Sequence, residues 1–160
     1  MWIPARVEPD PVPLGKVIDE LRGVRIAIGS TAHGIEGFRR SHLDALATQR
    51  LLAHLHSTQR IASFDTVQLV SLVTENLNRA DQFITDTLGE LESASPEIRT
   101  AVLAFVTQQC NASRAATRLY THRNTLLRRL SRAEQLLPRP LEANSVNVAV
   151  ALDVLRWRGG

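Results

Sequence analysis

Residues 80–91 carry apolar or small side chains at Ala80, Phe83, Ile84, Thr87, Leu88 and Leu91, the i, i+3, i+4, i+7, i+8, i+11 spacing of one helical face. Asn78 is the expected cap of this helix, and Gly89 either ends it or weakens it. Ser95-Pro96-Glu97 then combines an N-cap residue, a proline at the first helical position and an acid in the first turn. The helix it opens is expected to run to about Gln109, with Ile98, Val102, Phe105 and Val106 inward. Two shorter segments follow within 110–137. Asn111 caps the first, whose face is Ala115, Ala116 and Leu119; small side chains there let another helix approach closely. Thr121 is the expected cap of the second, which runs from about His122 to Leu136 and places Leu126, Leu130, Ala133 and Leu137 on one stripe, with His122 near its start. Two short amphipathic segments joined by a brief turn read as a helix-turn-helix. After Pro138 and Pro140, Ser145 is expected to cap a last helix through Trp157, with Val146, Ala149, Val150, Leu152 and Leu155 apolar.

Upstream the pattern changes. Four prolines within 1–14 forbid a helix and leave an extended arm or an edge strand, and 16–21 is a short helical pattern stopped by Gly23. Val24, Ile26 and Ile28 alternate as a strand does, and 60–64 is a brief second strand. Between them, 38–56 reads as a long helix apolar on two sides: Phe38, Ala45 and Leu52 on one, Leu43, Ala47, Leu51 and Leu55 on the other. Asp65 with Gln68 reads as a capping box opening a helix through Val73. Gly29, Gly34 and Gly37 sit between strand and helix, but their spacing fits neither phosphate-binding fingerprint, so a plain loop is the reading. The fold class is therefore mainly α, α+β overall: a small N-terminal β/α part followed by a C-terminal helical helix-turn-helix domain. The expected domains are 1–92 and 93–160.

Charge sharpens this division. The net charge of +3 hides an asymmetry: 1–97 holds 9 Lys and Arg against 13 Asp and Glu, whereas 98–160 holds 10 against 3. Between Ile98 and Ala133 there are seven arginines and no acid, so a polyanion is drawn to that end of the chain. No apolar run approaches the ~20 residues that a membrane helix needs. A single cysteine, Cys110, forms no internal disulfide and is expected as a packed small side chain at a helix end; cytoplasmic residence follows as the default. His54 and His56 lie two apart on a helix and do not share a face, and no ligand set completes a metal site. No cofactor is expected. Nor is an enzyme, since no nucleophile, base and orienting acid occur at recognisable spacing.

The face opposite the Leu126 stripe supplies candidate chemistry. Asn124, Thr125, Arg128, Ser131 and Arg132 turn away from the core, and Arg pairs with guanine, Asn with adenine and Thr with the thymine methyl in a major groove. The run NASRAATRLYTHRNTLLRRLSRAEQLL resembles the C-terminal helix-turn-helix of PucR/CdaR-type bacterial transcriptional regulators, most specifically at His122-Arg123-Asn124-Thr125-Leu126. Two positions depart from the family's usual pattern: Arg128 stands where Tyr is usual, and Pro138 where Gly is frequent. Upstream, VRIAIGSTAHGIEGFRRSHLDAL is similar to the end of the degenerate GGDEF-like domain of the same family, without the Gly-Gly-Asp/Glu-Glu-Phe signature of cyclases. Family members are normally much longer, so the resemblance implies the C-terminal portion of such a regulator, binding double-stranded DNA as a homodimer or higher oligomer. On this reading Thr121, Asn124, Thr125, Arg128 and Arg132 read bases, while Arg114, Arg118, Arg123 and Arg129 hold phosphates. The alternative is a non-catalytic interaction module whose helix-turn-helix contacts protein.

Overall fold

The computed structural model describes Ile18 and residues 23–158, and two compact units divide the chain: Met1–Leu72 with Trp157–Gly160, and Val73–Arg156. The arm expected over 1–14 and nearly all of the short helix over 16–21 lie outside the described residues.

In the first unit, β1 (Ile26–Ile28) pairs in parallel with β2 (Ile61–Ser63), Ile26 opposite Ile61 and Ile28 opposite Ser63. A parallel pair needs a crossover, and α1 (Gly34–His54) supplies it. Val24, expected in the strand, lies before it and is exposed, because the ladder begins where the Ile26 N–H donates to the Arg60 carbonyl at 2.8 Å. The Arg60 guanidinium ties this end together by donating to the carbonyls of Val24 and Ile18. α1 opens at Gly34, four residues before Phe38: His33 is its extended N-cap, and Glu36 places negative charge on the positive end of the helix. Of the two apolar sides expected for it, Leu51, Leu52 and the C-cap Leu55 are buried, whereas Phe38 and Leu43 are more than half exposed. Gly29 has a packing reason to be glycine. A Cβ there would stand 1.9 Å from the Ser41 carbonyl oxygen, so the loop rests directly on the α1 backbone. α2 (Phe64–Val73) follows β2 without a break, with the Thr66 hydroxyl donating to the Ser63 carbonyl at 2.8 Å. Asp65 therefore sits inside the first turn and does not cap the helix.

The second unit opens with α3 (Leu77–Leu88), capped by Asn76, whose extended backbone lets its side chain accept the Arg79 N–H at 3.1 Å. Asn78, the expected cap, lies within the first turn. The predicted face is the buried one: Ala80, Ile84, Thr87, Leu88 and Leu91 are almost wholly enclosed. Gly89 ends α3 at φ 53°, ψ −129°, a conformation essentially reserved to glycine, and a 3-10 helix (Gly89–Ser93) leads to α4 (Pro96–Thr107). Beyond α4 come α5 (Ala112–Arg118), α6 (Arg123–Leu136) and α7 (Leu141–Trp157). α4, α5 and α6 pack mutually around Leu126, fully buried among Ala101, Ala104, Ala115 and Ala116, with Phe105, Leu119 and Leu130 at the margin.

α7 differs from expectation at its start. Its first turn opens at Leu141, whose N–H donates to both carboxylate oxygens of Glu134 at 3.2 and 3.3 Å, and Asn144 (φ −136°, ψ 18°) kinks the helix. Asn144, and not Ser145, thus marks the change of direction, and its Oδ1 accepts from the Asn147 amide at 2.8 Å. Past the kink the buried side is Val148, Ala151, Leu152, Val154 and Trp157, while Val146, expected inside, is exposed.

Two substitutions test this packing in urea denaturation of the whole chain. Leu126→Ala leaves a cavity that four alanines cannot fill, and costs about 2–5 kcal/mol. Gly89→Ala sets a Cβ 3.1 Å from Pro138 Cδ and 3.3 Å from the Leu136 carbonyl oxygen in a backbone conformation that alanine avoids. It is expected to cost roughly 1–3 kcal/mol.

Candidate nucleic-acid interface

α4 and α5 end by the same device. α4 closes through a Schellman arrangement in which the Gln109 N–H donates to the Val106 carbonyl at 3.0 Å and the Cys110 N–H to the Phe105 carbonyl at 2.9 Å. Asn111 then caps α5 as expected, its side chain accepting the Arg114 N–H at 3.0 Å. α5 closes in turn with the Tyr120 N–H on the Thr117 carbonyl at 3.1 Å and the Thr121 N–H on the Ala116 carbonyl at 3.0 Å. That last bond explains a correction. Thr121 belongs to the end of α5, so the N-cap of α6 is His122, extended at φ −73°, ψ 142° and without a side-chain cap bond. Gln109, Cys110 and Tyr120 all take positive φ, near 57°, 56° and 49°, where glycine is usual. Cys110 is accordingly turned out and exposed, against the expectation that it would be packed.

Burial of Leu126 and Ala133, with Leu130 half-buried, fixes the rotation of α6 about its axis. The outward stripe is then Asn124, Arg128 and Arg132, spaced four residues apart and all exposed, with Ser131 and Leu127 beside it. Thr125 and Thr121 are half-buried at its edge. The Arg132 guanidinium donates to the Gln135 amide oxygen at 3.0 Å, which leaves its remaining donors for another acceptor. Arg123 is exposed at the start of the helix, and Arg114 and Arg118 are exposed on α5. Arg129 is the exception among the six arginines, half-buried and close enough to Glu97 to help hold that carboxyl below its usual range. Among the described residues, none of Arg114, Arg118, Arg123, Arg128 and Arg132 pairs with a carboxylate.

Glu97 is governed first by Ser95, whose hydroxyl bonds its carboxylate, then by its own backbone N–H, with Arg129 a smaller cause. Ser95 keeps the N-cap position predicted for it, but its hydroxyl serves the acid and makes no cap bond to the helix.

Two features escaped the sequence reading. Gln108, Ser113, Arg114, Thr117 and Arg118 line an open depression of about 420 Å³, bringing two guanidinium groups and two hydroxyls together. The signal was present, since Ser113 and Thr117 lie opposite the Ala115–Ala116 core face. Tyr120 is 99% exposed in the turn between α5 and α6. Nothing in its spacing marked it, because it fell where the helical pattern lapses. Among the described residues no helix is long and apolar enough to cross a membrane, and no group of three or more His, Cys, Asp or Glu is placed to hold a metal ion.

Residues 99–154 match the family model of the PucR C-terminal helix-turn-helix domain, which takes in most of α4, all of α5 and α6, and most of α7. Residues 1–51 match that of a GGDEF-like domain. None of the curated proteins matches the chain.

The Glu97 carboxyl offers a direct check on this end of the site. Its NMR titration midpoint is expected below the ordinary 4.5. A depressed carboxyl stabilises the fold fully above that ordinary value and loses the contribution as pH falls through the folded midpoint. Ser95→Ala should move the midpoint back up, since Ser95 is the largest cause; an unmoved midpoint would show that other contacts hold it.

Proposed function

We propose that this chain, by both matches the C-terminal part of a PucR-type regulator, binds double-stranded DNA through residues 99–154 and reads sequence with α6 in the major groove. The observation that carries this is the outward face of α5 and α6: exposed arginines free of carboxylate partners, within a 36-residue span that contains no acid. In a helix-turn-helix the N-terminal part of the second helix meets base edges while the first helix crosses the backbone. Asn124, Thr125 and Arg128 occupy that N-terminal part, with Thr121 just before it and Arg132 a turn further on. Arg128 suits a guanine and Asn124 an adenine, each by a bidentate pair.

Arg114, Arg118 and Arg123 hold backbone phosphates in this reading, with Arg114 and Arg118 at the rim of the depression on α5. Arg129 is the weakest of the four phosphate residues, because Glu97 claims part of its field. The uncapped first turn of α6 adds backbone N–H groups at the positive end of a helix dipole, which favours a phosphate nearby. One reading helix covers few base pairs, so the functional form is a homodimer or higher oligomer with half-sites about 34 Å, or a multiple, apart.

Fluorescence anisotropy with random-sequence duplex and with duplex selected from a random pool tests this. Affinity for both should fall with rising salt, by about 0.9 log units per log unit of salt for each phosphate neutralised. Arg114→Ala should weaken both duplexes alike and lower the salt slope by about 1, whereas Arg128→Ala should cost about 1–3 kcal/mol on the selected duplex and relax its preference at one position. Salt-insensitive or absent binding would sink the DNA reading and turn the face toward a protein partner.

A further inference from the structure

We propose that Tyr120 is a further DNA contact, its phenol donating to a backbone phosphate and its ring lying along the adjoining deoxyribose. The inference rests on the DNA reading of residues 99–154. Tyr120 is 99% exposed, so its ring contributes nothing to the core. It also occupies the position after the α5 C-cap at φ 49°, a left-handed conformation that a Cβ-bearing residue adopts at a cost and glycine adopts freely. Two hydrogen bonds hold it there, from its own N–H to the Thr117 carbonyl and from the Thr121 N–H to the Ala116 carbonyl. A large side chain kept in a disfavoured backbone state, with no internal contact to compensate, points to a role outside the fold.

Its place in the fold selects the partner. Tyr120 stands three residues before the first residue of α6 and two after the last of α5, with exposed Arg118 and Arg123 on either side along the chain. With the N-terminal part of the reading helix in the major groove, the preceding turn comes to the groove's edge, where the sugar-phosphate strand runs. Tyrosine hydroxyls are among the groups that bond phosphate oxygens, and such contacts fix register without reading sequence. A neutral phenol also displaces no counterion of its own, so its loss leaves the salt slope unchanged. That separates Tyr120 from Arg114, whose loss lowers the slope, and from Arg128, whose loss is selective for sequence.

The test is Tyr120→Gly, with Tyr120→Asn and Tyr120→Phe beside it, in the full chain, on random-sequence and selected duplexes together with thermal melting. Tyr120→Gly is expected to weaken both duplexes equally, by roughly tenfold, with the salt slope intact. It should at the same time raise the melting temperature by about 2 °C, because the strain is relieved. Tyr120→Asn, which tolerates positive φ, should reproduce the loss of affinity, and Tyr120→Phe should show a smaller loss, since the ring remains. Unchanged affinity in Tyr120→Gly while Arg114→Ala still weakens binding would overturn the contact and leave the DNA reading standing. A loss accompanied by a lower melting temperature in both Tyr120→Gly and Tyr120→Asn would also overturn it, by making the effect structural. Absence of DNA binding in the unsubstituted chain would remove both inferences together.

Discussion

The second unit depends on how Leu126 packs. Four alanines from α4 and α5 form the cup that receives it, and small side chains let three helices meet closely enough for one leucine to be wholly enclosed. Ala133, two turns on, repeats the close approach further along α6. These two points fix the helix in rotation, and rotation decides everything chemical about it. With Leu126 inward, residues 124, 128 and 132 are outward. A slip of one residue would carry Arg128 toward the flank and Leu127 into the outward stripe.

The motif was largely legible because its signals are periodic. The Leu126 stripe, the Ala115–Ala116 face and the Asn111 cap each follow from helical geometry, and each recurs in the structure. Caps were less legible. Asn76 and Asn78 are equally good cap residues two positions apart, and only the phase of the backbone chooses between them. Thr121 looked like a cap because threonine commonly is one, yet its N–H was already engaged by the helix before it. The left-handed turns were invisible for a related reason: the usual marker is glycine, and here Gln109, Cys110 and Tyr120 occupy those positions. Exposure of Cys110 follows from the same conformation, which composition does not encode. In α7 the kink at Asn144 shifted the buried side away from Val146, since a periodic face is readable only along an unbroken helix.

In the first unit, the order strand, helix, strand was readable, while the start of α1 was not. A glycine-containing stretch reads as loop, but Gly34 and Gly37 both lie inside the helix. What the glycines serve is proximity. Gly29 lets the loop lie against the α1 backbone at a distance no side chain would allow, so its spacing answers to packing within the unit and matches no ligand-binding fingerprint.

Glu134 is the first acid after the long cationic span, and its carboxylate is held by the Leu141 N–H at the opening of α7. The bond draws the C-terminal turn of α6 and the first turn of α7 into one corner, across the two prolines that separate them. α6 is therefore gripped at both ends, by the Leu126 cup near its start and by this corner near its finish. The helix is a beam supported at both ends and not a cantilever: the direction in which its outward stripe faces is set by two contacts, one toward each end of its axis.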